Sequence, residues 1–348
     1  MLVQVVAGPE SLKRFEEPWN ELYEADPEGH FFLSWPWMSR CLAHKTDWLV
    51  LVARRNRTSP IEAVLPLRWR RGVLKRGTKY LDFKMAGRGA ADYTGFLCLP
   101  GQEERALPAL ARHLKTLRWR RLDFEYVRTS DFRLNVFLEH FQRPDYEAFE
   151  VSKVNSDGID NSRCPYTDLP GDWESYLAGL SANSRQKLRR LLRAADAQGL
   201  RVTHADARTF QRDLDILLTL WAQRWGDSKG PRLNRILRST RRELADALDT
   251  GNLFLPVLWD GDRPLGAFAC LVDHQKRELL FQMAARDPDF DQPSPGLVLH
   301  AHAIRWAIEQ GLARYDFLRG DEPYKYSFAD KERIARSILV KNRGGTFA

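Results

Sequence analysis

The stretch LFLPVLWDGDRPLGAFACLVD, Leu253 to Asp273, holds two apolar runs on either side of Asp260-Gly261. An Asp-Gly pair between such runs is a hairpin signal, because the turn needs residues that tolerate positive φ. RELLFQMAA, Arg277 to Ala285, follows as a third strand. Upstream, GLRVTHA (Gly199 to Ala205) reads as a short strand, and a long helix follows with Phe210, Leu214, Leu217, Leu218, Trp221 and Trp225 at helical spacing. A second helix near Arg238 to Asp249 closes on Thr250-Gly251. Downstream, LVLHAHAIRWAIEQG is a helix ending at Gly311, ARYDFL a strand, a short helix comes next, and ERIARSILVKN is the last strand. Consecutive strands followed by helix and strand give an α/β fold with a mixed, mainly antiparallel sheet.

The first half repeats that order. LVQVV is a strand, ESLKRFEEPWNELYEA a helix and SWPWMSRCLAH a second helix. WLVLVARR and IEAVLPLRWRR form a hairpin, DYTGFLCL a strand, EERALPALARHLKTL a helix and RRLDFEYV a strand. NSDGIDNSRCPYTDLPGD, Asn155 to Asp172, is rich in turn formers. The reading is therefore a domain over 1–155, a linker over 156–172 and a second domain over 173–348.

Composition sets the outer limits. The chain has 348 residues, 43% hydrophobic and 29% charged, which suits two domains with packed cores. No apolar run approaches the roughly 18 residues of a membrane span, and the opening apolar patch is too short for a signal segment. A cytoplasmic protein is expected, with a peripheral contact at the inner membrane face left open. Cys41, Cys98, Cys164 and Cys270 are scattered without a CxxC pair, so they read as free thiols. No metal is expected: His300 and His302 point to different helix faces, and HExxH, GxSxG and Walker patterns are absent from the sequence. The net charge of +8 favours anionic partners and reads as spread along the chain, not as one block.

Four stretches carry candidate chemistry. Gln292 to Gly296 opens a helix with Ser294, Pro295 and Gly296, which is either a plain cap or a phosphate site on backbone donors. SANSRQKLRRLLR, Ser181 to Arg193, pairs an apolar stripe (Leu188, Leu191, Leu192, Ala195) with Arg185, Lys187, Arg189, Arg190 and Arg193 lying mostly away from it. It reads as a solvated face or a phosphate-reading helix. YDFLRGDEPYKY, Tyr315 to Tyr326, is a strand that releases Arg319, Asp321, Glu322 and Lys325 at one end. It is a surface turn, or a site where Lys325 holds negative charge and Tyr324 donates a proton. GRGAADYTGFLCL, Gly87 to Leu99, sets Asp92 and Tyr93 before a strand, as a bulge or as a place to orient an amine. The aromatic run FFLSWPW, Phe31 to Trp37, is core or a wall for an apolar chain.

Together DPDFDQPSPGLVLHAHAIRWAIEQGLARYDFLRGDEPYKY (Asp287 to Tyr326) and SANSRQKLRRLLR resemble the GNAT-fold acetyltransferase-like family typified by CelD of cellulose biosynthesis. The likeness covers Trp173 to Ala329 well and the first half loosely. It implies two tandem GNAT-like (acyl-CoA N-acyltransferase) domains, in an arrangement similar to the Fem peptidyltransferases, the first domain being degenerate. It implies acyl-CoA as donor and a small-molecule or lipid amine as acceptor, such as an envelope amino sugar or a sphingoid base. Gln292, Ser294, Pro295 and Gly296 stand where the family's phosphate loop lies, in place of the usual Q/RxxGxG/A, with Arg185 and Arg189 beside them. Lys325 and Tyr324 become the catalytic pair, Asp316, Arg319 and Asp321 their support, and Asp92 and Tyr93 the acceptor side. The alternatives are a Fem-like transferase using aminoacyl-tRNA, permitted by the charge but not favoured because no helical arm is inserted, and a non-catalytic nucleic-acid or envelope-machinery binding protein.

Overall fold

The computed structural model describes residues 1–43, 45–73, 77, 79–87, 89 and 91–343. His44, Arg88, Ala90 and the last five residues of the expected second domain lie outside the described residues. The chain separates into two compact units, Met1–Arg163 with the segment from Ile334 onward, and Cys164–Arg333.

The first unit opens with β1 (Leu2–Val6), α1 (Pro9–Lys13), α2 (Glu16–Ala25) and α3 (Trp35–Ala43). β2 (Trp48–Arg54), β3 (Ile61–Val73), β4 (Lys79–Met85) and β5 (Leu97–Cys98) follow. Then come α4 (Glu103–Thr116), β6 (Arg121–Val127), α5 (Asp131–Leu138) and β7 (Tyr146–Glu150). The second unit contains β8 (Arg163–Asp168), α6 (Trp173–Gly179), α7 (Ala182–Ala197), β9 (Arg201–His204), α8 (Phe210–Lys229) and α9 (Leu233–Asp249). It continues through β10 (Leu253–Phe254), β11 (Pro256–Asp260), β12 (Arg263–Asp273), β13 (Glu278–Arg286), α10 (Pro295–Glu309), β14 (Arg314–Asp316) and β15 (Lys331–Ile334). β16 (Arg336–Asn342) ends the described chain.

Each unit is a mixed, mainly antiparallel sheet between helical layers. In the second unit the order is β15-β8-β14-β13-β12-β11-β9, with β10 also on β12. Leu265–Val272 of β12 is an unbroken apolar run because both faces of the strand are covered there. Phe268, Cys270 and Val272 join the core under α10, while Ala267 and Ala269 join Leu214 and Leu217 of α8. In the first unit the order is β1-β2-β3-β4-β6-β16-β7, with β5 on β3. β2 alternates likewise: Leu51 and Ala53 face the core under α4, and Val50 and Val52 face that of α1–α3. Both sheets contain a parallel pair flanking a helix, β4 with β6 around α4 and β13 with β14 around α10. This is the shared order seen in the two halves of the sequence.

Several boundaries differ from the sequence reading. The expected last strand breaks at Ala335, which is fully buried. Lys331–Ile334 stays in the second sheet, but Arg336–Asn342 pairs with β6 and β7 of the first. Ile338 and Val340 complete the first core, so apolar burial decides where the strand goes. The domain limit at residue 348 is thereby corrected, as is the linker over 156–172. β8 lies inside that linker and pairs with β14, with Cys164 and Thr167 buried. The single helix expected from Glu10 is two, α1 and α2, and DYTGFLCL contributes only Leu97–Cys98 as strand. FFLSWPW is core: Phe31, Phe32, Leu33, Trp35 and Trp37 are all buried.

Candidate functional site

In the second unit β13 and β14 pair only from Glu278–Arg314 to Leu280–Asp316. β13 then continues through Phe281–Arg286, while the other chain turns away after Asp316. The edge of β13 facing the departed chain therefore offers backbone groups to an extended ligand.

The turn that pulls the chain away is held from inside. Leu318 has φ 57, a conformation that costs a side chain with a Cβ. Asp316, fully buried, accepts the Leu318 N–H through Oδ1 at 2.8 Å and faces Arg333 through Oδ2 at 3.5 Å. Gly320 has φ 100, and a Cβ there would meet the Glu322 carboxylate at 2.5 Å. Lys325 is only 3% exposed. Its Nζ donates to the carbonyls of Arg319 (2.6 Å) and Gly320 (3.0 Å) and lies 2.9 Å from Glu322 Oε2. Two of the ammonium's three N–H groups thus have carbonyl acceptors, and the Glu322 carboxylate is its ion-pair partner within the same loop.

Tyr324 is 38% exposed. Loss of hydration raises its phenol pKa first, and the Glu322 charge raises it further, so the hydroxyl stays protonated. Behind it lies His300, buried on α10, with Nδ1 3.0 Å from the Tyr315 hydroxyl. Burial, then the Lys325 charge, pushes His300 down to about 3, so it is a neutral core histidine.

A cavity of about 430 Å³ opens between α7 and the start of α10. Ser184, Lys187 and Arg190 supply its polar wall from α7, and Gln292 and Ser294 from the loop. Leu188, Leu191, Leu297 and Phe328 supply apolar surface, and Ser327 brings in the segment just after Lys325. Ser294 is the N-cap residue of α10, but its side chain makes no capping hydrogen bond. A Cβ on Gly296 would find open space, so the first turn is accessible. Asp287, held by Arg263 at 2.6 Å, anchors the loop.

The cavity cations differ from those expected. Arg185 donates to the Ala178 carbonyl, and Arg189 pairs with Glu174 at the surface. Lys187 and Arg190 line the cavity instead, because Ser184, Lys187, Leu188 and Leu191 share one face at i, i+3, i+4, i+7. That signal was in the sequence, hidden by treating Lys187 as a residue off the apolar stripe. Glu322 was likewise seen only as one charge among several.

Asp92 and Tyr93 belong to the first unit. Tyr93 is fully buried against His30, Phe32 and Arg128, so it packs the core and does not line an acceptor. Asp92 is partly exposed. Arg319 and Asp321 are half-buried in the loop that Lys325 braces. His302 does not join His300 but meets His204, Nε2 to Nε2 at 2.7 Å. No group of three or more metal-ligating side chains occurs among the described residues.

Residues 182–326 match the family described as the acetyltransferase (GNAT) domain. The match runs from the first residue of α7 to Tyr326 in the turn at Lys325–Ser327. No curated protein matches this chain. FemX is similar in structure over 98% of this chain and 97% of its own, with TM-score 0.64 and 12% identity. A tandem GNAT protein from the clavulanic acid biosynthesis pathway is similar over 99% of both chains, with TM-score 0.53 and 10% identity. The C-terminal domain of a putative lysylphosphatidylglycerol synthetase from Agrobacterium fabrum is similar over 95% of this chain and 92% of its own, with TM-score 0.55 and 11% identity. At such identities the likeness is one of fold, that of a GNAT-type acyltransferase. No helix among the described residues is long and apolar enough to cross a membrane.

Proposed function

We propose that the chain moves an acyl group from acyl-CoA to a primary amine, on an envelope amino sugar or a lipid amine such as a sphingoid base. The observation that carries this reading is convergence. The face of α7, the Gln292–Gly296 loop and the segment after Lys325 border one cavity, inside the span that matches the GNAT domain. The narrower likeness to CelD-type proteins agrees with it. The site is read as cytoplasmic.

The residues present fit the donor. Lys187, Arg190 and the accessible first turn of α10 suit its phosphates. The free edge of β13 suits its amide-bearing arm, and Leu188, Leu191 and Leu297 suit an apolar chain. The amine nitrogen forms a bond to the thioester carbon, the C–S bond breaks, and the carbonyl oxygen is negative in between. Tyr324 gives its proton to the departing thiolate. The amine's proton passes to Glu322, whose side chain is 38% exposed. Lys325 acts through the loop: it fixes Arg319 to Glu322, and its positive charge favours the oxyanion. Asp316 holds the turn, Arg319 and Asp321 shape the mouth, and Asp92 remains an acceptor-side candidate.

Thermal shifts of the purified protein with CoA, long-chain acyl-CoA and tRNA over a salt series test the donor. Stabilisation by acyl-CoA is expected. Salt-sensitive stabilisation by tRNA alone would replace this reading with the aminoacyl-tRNA one, or with a binding protein.

A further inference from the structure

The positive charge of the chain is not evenly spread. Residues 68–84 hold seven lysines and arginines against one aspartate, Asp82, a net +6 beside +8 for the whole chain. The stretch begins in β3 and ends in β4 of the first unit. β2 stops pairing with β3 at Arg68, and β6 pairs with β4 only over Asp82–Lys84. Trp69 still donates to the Asp47 carbonyl and Leu81 still accepts from the Arg120 N–H, and beyond them Arg70–Val73 and Lys79–Tyr80 continue as a two-stranded ribbon, with Val73 opposite Lys79 and Gly72 opposite Tyr80. A lone ribbon is marginal in water, so it needs a reason to project.

Part of this charge is balanced and part is not. Asp82 is taken by Arg120, through Nε at 2.9 Å and Nη2 at 2.5 Å, and Arg68 is taken by Asp47. Arg70, Arg71, Lys79, Arg118 and Arg121 are exposed and form no ion pair among the described residues. At the end stands Val73, 63% exposed, the most exposed large hydrophobic side chain among the described residues. Two aromatic rings in the ribbon and at its base are covered by cations: Arg71 over Trp69 at 4.7 Å and Arg120 over Tyr80 at 3.7 Å.

We propose that this ribbon docks the protein on an anionic lipid surface. The free cations meet lipid phosphates, and Val73 enters the headgroup boundary. A single-stranded nucleic acid would need open aromatic faces for stacking, and here a guanidinium already lies over each ring. The proposal is independent of the acyl-transfer reading, since none of these residues borders the cavity in the second unit.

The test is co-sedimentation of the full chain with phosphatidylcholine vesicles, with and without phosphatidylglycerol, across a salt series. Binding is expected only to the anionic vesicles, weakening with salt. Arg70→Glu with Arg71→Glu should lower that affinity at least about tenfold. Val73→Ser should lower it roughly threefold without changing the salt dependence. The control Arg235→Glu with Arg238→Glu, on the exposed side of α9, makes the same change in net charge and should alter binding much less. Melting curves confirm that the variants fold. Equal binding to neutral vesicles, equal loss in the control, or tRNA binding that alone depends on Arg70 and Arg71 would each overturn the proposal. Transfer to a water-soluble amine should be unchanged in the ribbon variants, so a failed docking and a failed catalytic reading are told apart.

Discussion

Arg133 of the first unit and Lys325 of the second are both buried cations, 2% and 3% exposed, yet they are balanced in opposite ways. Arg133 meets three carboxylates: Asp26 at 2.7 Å, Glu103 at 3.0 Å and Glu28 at 3.4 Å, and it also donates to the Cys98 carbonyl. Burial works against its charge, but Asp26 and Glu28 together with the other neighbours outweigh it, so its pKa stands above the ordinary arginine value. The same surroundings push the Cys98 thiol up to about 12, burial first, so it is inert as a nucleophile. Lys325 meets two neutral carbonyls and one half-exposed carboxylate. A cation surrounded by acids has nothing left for a substrate. A cation held mostly by carbonyls keeps a net field, and this one stands beside an open cavity. Packing stability and readiness for chemistry are thus separated between two residues with the same burial.

The sharpest way to break this contrast is Arg133→Met. It strands the fully buried Asp26 and should destabilise the protein by about 3–5 kcal/mol, read by urea unfolding. A loss below about 1 kcal/mol would mean that the network is not what locks the first unit. Lys325→Met should act mainly on chemistry: transfer falls by roughly 10²–10³, with a much smaller change in melting. A soluble variant with full activity would remove Lys325 from the mechanism. Lys187→Gln with Arg190→Gln should raise the donor KM by about tenfold and leave kcat nearly unchanged. An unchanged KM would move donor binding away from the α7 face.

A fourth prediction concerns pH. His302 is pushed down to about 4 from 6.5, by burial first, then by His204 and Arg305. The unfolded chain therefore takes up a proton below about pH 6.5 that the native state refuses. Stability is complete above that pH and falls as pH drops from 6.5 towards 4. His302→Asn should flatten this slope in denaturant unfolding at several pH values. The smallest effect belongs to Arg189→Gln, an exposed pair with Glu174, at roughly 0.5 kcal/mol or less. A large loss of activity there would restore the donor role first read from the sequence.

Much of the second unit could be read from local patterns. Asp260-Gly261 marked the β11–β12 hairpin, Ser294-Pro295-Gly296 the start of α10, and Gly311 its end. These signals act over a few residues, so they survive without the fold. The destination of β16 does not, because Ile338 and Val340 suit either core, and only the vacancy between β6 and β7 selects one. The loop braced by Lys325 was legible as a cluster of charges but not as a closed set of acceptors. Carbonyls carry no sequence signal, and two of the three partners are carbonyls. That Lys187, and not Arg185 or Arg189, faces the cavity was legible too, from its i, i+3 spacing to Ser184. Tyr93 was not, since an aromatic in a loop packs or binds according to neighbours remote in sequence.

β16 carries a consequence for biosynthesis. The first sheet lacks a strand between β6 and β7 until Arg336–Asn342 has been made, whereas all of Cys164–Arg333 is already present. On the ribosome the unit that begins first must therefore finish last. Until then it carries two open strand edges, the surfaces most prone to pair with the wrong chain. A stop between Phe328 and Arg336 would spare every residue that lines the cavity and still leave the other unit without the strand that closes it.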